Sequence, residues 1–182
     1  DIDTDIRTNG KSINKLISAG VNVSIINNVN EFINPNYNNK NINNRPISYI
    51  GKIARSNNNK ITNSDTADKY ITNDASLKIT HLIRATVDAI LVGKNTLVND
   101  SPSLNVRHES LPDINIEKFV LWGSDKNTIN DVVDEHKDKI FITCFPSLKS
   151  NIVNLHDLTF ENLENFLISK NITSLLIEGG NF

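Results

Sequence analysis

The 182-residue sequence contains no methionine and a single cysteine, Cys144. A lone cysteine excludes an internal disulfide and fits a reducing, cytoplasmic setting. Its apolar, strand-like neighbours and the lack of a nearby histidine point to a buried inert thiol rather than a nucleophile. Charge of one sign is also missing. The formal net charge is −2, with Lys and Arg scattered, so nothing recommends a nucleic-acid partner. No apolar run approaches the ~18 residues that would suggest a membrane span, and the start shows no signal-peptide pattern. His81, His108, His136 and His156 have no ligand spacing with one another or with Cys144. The HxE and PCxxC signatures of a zinc deaminase are absent, so no metal site is expected. The chain begins at Asp1 and stops at Gly179-Gly180-Asn181-Phe182, a turn that should open a further element; the expectation is that both ends are cut.

Asparagine, by contrast, is abundant, 30 of 182 residues. Apolar periodicity persists beneath it, which marks compositional drift rather than a prion-like tract. The periodicity is clearest from Leu77 to Arg107. Leu77, Thr80, Leu82, Ile83 and Val87 fall near helical spacing, and Asn73 with Asp74 provides an N-cap for a helix over 75–86. Ala89-Ile90-Leu91-Val92 is an uninterrupted apolar run, the mark of a strand covered on both faces. Gly93 ends it, and Asn95-Thr96 can cap the helical turn that follows.

Elsewhere the pattern is similar. Residues 10–18 read as a helix stopped by Ala19-Gly20, and Val21–Ile26 alternates like a strand. An Asn-rich linker occupies 27–44. Strands are then expected over 47–54, 118–122, 139–144 and 173–178, a surface helix over 130–138 and an amphipathic helix over 158–170. Strands alternating with helices predict an α/β layered domain with a mostly parallel sheet, whose ligands lie beyond the carboxyl ends of the strands. The small residues past four strand ends, Ala54 and Ser56, Gly93 and Thr96, Gly123-Ser124, and Glu178-Gly179-Gly180, leave room for a flat ligand or simply make turns. Arg84 and Arg107 suit a phosphate or carboxylate, or are solvated surface charges. Glu178 can accept hydrogen bonds from a heterocycle or cap its own turn, and Asp100-Ser101-Pro102 reads as an Asx-type turn.

Laid out together, these residues resemble the bifunctional riboflavin-biosynthesis deaminase/reductase family over nearly the whole chain. Asp1–Val21 resembles the segment that closes the deaminase domain. Arg45-Pro46 and Lys52-Ile53-Ala54-Arg55-Ser56 resemble its RP…K.A.SLDG strand and loop, and Tyr70-Ile71-Thr72 its WIT. The run from Leu82 through Arg84-Ala85, Asp88-Ala89-Ile90-Leu91-Val92-Gly93, Thr96 and Asp100-Ser101-Pro102 to Leu104 and Arg107 resembles LLRA…DAILVG..T…DDP.L.VR. Leu176–Gly180 resembles its EGG motif. The loop here reads Ser56-Asn57-Asn58-Asn59, Asp68 stands where serine is usual, and Asn181 where proline is usual.

The resemblance implies a dihydrofolate-reductase-like layered domain over 45–182, C-terminally incomplete, preceded by a cytidine-deaminase-like αβ remnant over 1–26. It implies NADPH-dependent reduction of 5-amino-6-(5-phosphoribosylamino)uracil to the ribitylamino product. Zinc would belong only to the missing upstream deaminase domain. By matching position, Ala54, Tyr70, Thr96, Asp100, Ser124 and Gly180 would contact NADPH, and Asp68, Arg84, Leu104, Arg107 and Glu178 the substrate. The expected partner is a phosphorylated pyrimidine, with a homo-oligomer open. A reductase of the same fold with another pyrimidine- or pteridine-like substrate, and a degenerate non-catalytic domain, are the competing readings.

Overall fold

The computed structural model describes residues 10–24, 47–56, 61, 72–108 and 111–179. The chain divides into two compact units, 1–45 and 46–182. In the first, helix α1 spans Lys11–Ser18, and Gly20 takes the left-handed conformation at φ +77° that glycine adopts without steric cost. Val21–Ser24, expected to begin a strand, is irregular instead. Alternation cannot make a strand without a partner edge. The Val21 amide donates to the Leu16 carbonyl of α1, at 3.0 Å.

The second unit contains, in order, β1 (Ser48–Lys52), α2 (Asp74–Arg84), β2 (Ala89–Gly93), α3 (Lys94–Asp100), β3 (Glu117–Gly123), α4 (Ile129–Glu135), β4 (Ile140–Thr143), β5 (Ile152–Asn154), α5 (Phe160–Ser169) and β6 (Ser174–Glu178). The strands form one six-stranded sheet in the order β1-β6-β2-β3-β4-β5. Every pairing is parallel, so the expected parallel layered fold is what the chain adopts. β5 has no counterpart in the sequence reading. The Asn73 side chain caps α2 by accepting from the Ser76 amide. Thr159 caps α5 in the same way, accepting from the Asn162 amide. The proposed caps Asn95 and Thr96 fall inside α3, because that helix starts directly at Lys94 with Gly93 at its N-cap.

The apolar run of β2 serves two cores. Ile90 and Val92 join Val120, Trp122, Phe141 and Leu176, with Leu97 of α3 and Val133 of α4. Ala89 and Leu91 join Phe119, Ile142 and Leu175, with Leu167 of α5. Alternate side chains of a strand point to opposite faces, so a sheet covered on both sides reads as continuous apolar sequence. Asp88, just before β2, fastens the strand starts together. One of its carboxylate oxygens accepts from the amides of Thr173 and Ser174 and from the Thr173 hydroxyl, at 2.8–2.9 Å. Its own amide donates to the Ser174 hydroxyl. Partial desolvation works against this carboxylate, but the hydrogen bonds prevail and hold it below the usual carboxyl range.

Candidate active site

Three neighbouring strands, β1, β6 and β2, end at one cleft of about 560 Å³, within the span usual for small-molecule sites. Lys52 and Ala54 come from the end of β1, Glu178 and Gly179 from the end of β6, and Val92 and Thr96 from β2 and the start of α3. Helix α2 contributes Leu77, Thr80, His81 and Arg84, and the loop after α3 contributes Ser101, Pro102, Ser103, Leu104 and Arg107. A separate, shallower hollow of about 300 Å³ between Val133 and Asn151 lies beside the amino ends of β4 and β5, away from the strand tips that hold ligands in such sheets.

The centre of the cleft is an ion pair. Arg84 Nε and Nη2 donate to the two carboxylate oxygens of Glu178, at 2.7 and 2.9 Å, across 94 residues of sequence. Both side chains are almost fully enclosed, at 11% and 12% exposure. A bidentate guanidinium–carboxylate pair fixes both groups in one geometry. Arg84 Nη1 donates to the Asn105 carbonyl at 3.0 Å, so the same side chain also grips the loop that follows α3. Arg84 thus carries its charge inward, already matched by Glu178, whereas Arg107 is exposed at the rim.

The loop itself is held in unusual backbone. Ser101 and Leu104 both have positive φ, 42° and 55°, a region that costs an L-residue about 1–2 kcal/mol. Leu104 is only 1% exposed, and its burial offsets that strain. Asn105 is anchored a second time, its side-chain carbonyl accepting from Lys118 Nζ, which also donates to Asp138 at 2.7 Å. Two residues on, the Arg107 amide donates to His81 Nδ1 at 3.1 Å. Desolvation, then the positive charges of Arg84 and Arg107, push the His81 pKa down; the Asn105 backbone and Glu178 pull the other way and lose. The imidazole is therefore neutral at neutral pH.

Of the residues singled out by sequence, Ala54, Arg84, Thr96, Asp100, Leu104, Arg107 and Glu178 line this one cleft. Ser124 does not. It sits past β3, which lies one strand beyond β2 in the sheet order. Asp68, Tyr70 and Gly180 lie outside the described residues. Lys52, Thr80 and His81 line the cleft without having been singled out for it. The three-residue step from His81 to Arg84 puts both on one face of α2, and that is the signal that could have found His81.

The mixed apolar and polar lining of the cleft suits a flat polar heterocycle. Ala54, Val92, Pro102 and Leu104 are apolar members of the lining and Thr96 a polar one. A Cβ added at Gly93 would meet nothing within 4 Å, so the strand-to-helix turn is open to a ligand. Near β3, Lys94 Nζ bonds Asp125 and lies 5.1 Å from the Trp122 ring centroid. That bond, with those from the Asn127 amide and the Thr128 hydroxyl, pulls Asp125 down to about 2.

Comparison with known proteins places these features in context. The family model described as "RibD C-terminal domain" matches residues 50–181. The riboflavin biosynthesis protein RibD of Aquifex aeolicus is 31% identical over 108 residues, 58% of this chain and 30% of that protein. Among solved structures, RibD of Acinetobacter baumannii superposes with a TM-score of 0.62 at 19% identity, over 98% of this chain and 52% of that one. The Thermotoga maritima diaminohydroxyphosphoribosylaminopyrimidine deaminase/5-amino-6-(5-phosphoribosylamino)uracil reductase gives a TM-score of 0.61 at 23% identity, over 94% and 50%. A riboflavin biosynthesis reductase of Saccharomyces cerevisiae gives 0.53 at 17% identity, over 82% and 71%. The chain spans 30% of the curated relative and about half of each bacterial structure. At these identities the structural likeness shows the fold, the dihydrofolate-reductase-like α/β layering.

Proposed function

The chain belongs to the RibD C-terminal domain family, and from that premise we propose that it is the NADPH-dependent reductase of riboflavin biosynthesis. Its substrate is 5-amino-6-(5-phosphoribosylamino)uracil and its product the ribitylamino pyrimidine. The observation that carries this reading is the convergence of three strand tips on one cleft, with the buried Arg84–Glu178 pair at its centre and Arg107 at its rim.

When bound, NADPH supplies the hydride. The protein's part is to bring the two partners together and hold their charges. Ala54, Thr96 and Asp100, joined by Tyr70, Ser124 and Gly180, hold the cofactor. Leu104, Arg107 and the Arg84–Glu178 pair, with Asp68, hold the substrate. Arg107 has the exposed guanidinium that a sugar phosphate needs. Glu178, oriented by Arg84, presents a carboxylate edge to the N–H groups of the pyrimidine. Residues 1–26 are the tail of a deaminase domain, 27–44 a linker, and 45 onward the reductase domain; the reaction belongs in the cytoplasm.

The test is turnover with NADPH deuterated at the transferring carbon and the phosphoribosylaminouracil. The expected product is the ribityl compound carrying deuterium on its sugar carbon. NADPH binding without turnover of this compound, but with turnover of another pyrimidine or pteridine, transfers the assignment to that substrate. Failure to bind NADPH makes the domain non-catalytic.

A further inference from the structure

Arg107 lies on an irregular loop, and a rim arginine on a loose loop would grip a phosphate poorly. The loop is not loose. Helix α2 holds it at two points, one helical turn apart on the helix and two residues apart on the loop. Arg84 donates to the Asn105 carbonyl, and the Arg107 amide donates to His81 Nδ1. The first contact is to an acceptor and carries the Glu178 pair with it. The second has a different character, because a backbone N–H can only donate. His81 Nδ1 must therefore be unprotonated for the contact to exist.

We infer that His81 is a positioning residue for the substrate phosphate: its neutral imidazole latches the Arg107 backbone, and protonation of Nδ1 opens the latch. This deepens the reductase reading and rests on it for the identity of the anion. The groups facing His81 are Arg84 on its own helix, Arg107 and the Asn105 backbone on the loop, and Glu178 at the end of β6; Lys52 of β1 and Asp100 of α3 line the same cleft. Burial first, and then the nearest cations, disfavour a charged imidazole and keep the latch closed at neutral pH. A carboxylate in place of the phosphate would ask for the same guanidinium, but only a ligand that reaches the rim would feel the latch.

Two substitutions separate positioning from mere packing. His81→Asn keeps an acceptor where Nδ1 was and removes the titration; His81→Leu keeps the bulk and removes the acceptor. The full-length protein is assayed from pH 5 to 8. The expected result is a KM for the phosphoribosylaminouracil raised about five- to tenfold in His81→Leu, the worth of one hydrogen bond, with the KM for NADPH unmoved. His81→Asn recovers most of the affinity. Wild-type KM rises on acidification more steeply than that of His81→Asn, whose residual slope reports the phosphate's own titration near pH 6.

Substrate KM equal in wild type and His81→Leu, or wild-type and His81→Asn profiles that coincide, overturns the inference and leaves the reductase reading intact. Absence of turnover in the wild type overturns that reading instead, and the latch is then judged alone. The Arg107 amide resonance of the ¹⁵N-labelled protein follows the His81 titration in wild type and is flat in His81→Asn. A wild-type amide that ignores the titration overturns the latch, as does one that moves equally in both proteins.

Discussion

Arg84 shows how much one side chain can be asked to do. Its sequence neighbourhood suggested an anion fork, and it does form a fork, but onto Glu178 of the same chain. Removing one member of an enclosed pair leaves the other charge without compensation, at a cost of about 3–5 kcal/mol. Arg84→Leu should lower the unfolding free energy by about 3 kcal/mol in urea, and adding Glu178→Leu should restore part of it. Equal stability of the single and double variants would show that the Glu178 carboxylate left behind carries no penalty. Arg107 should behave oppositely. It is exposed, so Arg107→Ala should leave the unfolding free energy in urea within about 0.5 kcal/mol of wild type. The substrate KM should rise roughly 10- to 100-fold through the lost charge-assisted bond, and NADPH affinity should stay the same. The distinction was invisible in sequence. Both arginines follow helix-like or loop-like text, and only the 94-residue separation closed by the sheet tells which one is occupied. His81 was hard to read for a related reason: its partner is a backbone amide, backbone atoms leave no mark in a sequence, and only its three-residue step from Arg84 marks it.

Among elements, β2 and the turn into α3 were legible and the short pieces were not. β2 announced itself because burial on both faces needs an unbroken apolar run. β5 is three residues long, too short for any periodicity, and Val21–Ser24 had the alternation but pairs with no strand among the described residues. Gly93 offers a test of the site at this scale. Its backbone, at φ −79° and ψ 161°, is open to any residue, and an added Cβ meets nothing within 4 Å. Gly93→Ala should therefore keep or raise stability by up to about 1 kcal/mol. If the cofactor approaches this turn, NADPH affinity should fall at the same time; an alanine variant that binds NADPH as wild type does would move the cofactor elsewhere. Gly123, at φ +83°, should respond the other way, Gly123→Ala costing about 1 kcal/mol or more. The Asp88 clasp adds a pH dependence. Its folded pKa lies below the unfolded value, so its stabilisation is complete above about pH 4–5 and disappears as pH falls through the depressed folded value. Because the carboxylate is partly solvated, the effect is about 1 kcal/mol. Urea titrations of wild type and Asp88→Asn should differ at pH 7 and converge near pH 2–3.

For the whole molecule, the layered α/β class and the family were readable because the helix–strand rhythm and the LIRA…DAILVG…VR run survive the asparagine enrichment. What rhythm cannot supply is strand order. The text runs β1, β2, β3, β4, β5, β6, yet β6 is hydrogen-bonded to both β1 and β2. The central strands β6, β2 and β3 carry ladders on both edges, and their amides should exchange with deuterium only on global unfolding, those of β5 earlier. The placement of β6 also constrains how the protein is made. A nascent chain emerging from the ribosome has β1 through β5 in hand while the slot between its first two strands stands empty. The cleft's floor, and the carboxylate that meets Arg84, arrive together with Ser174–Glu178. Until then the edges of β1 and β2 that face this slot are open templates for mispairing, and closure of this region waits for β6 even if β2–β5 assemble earlier.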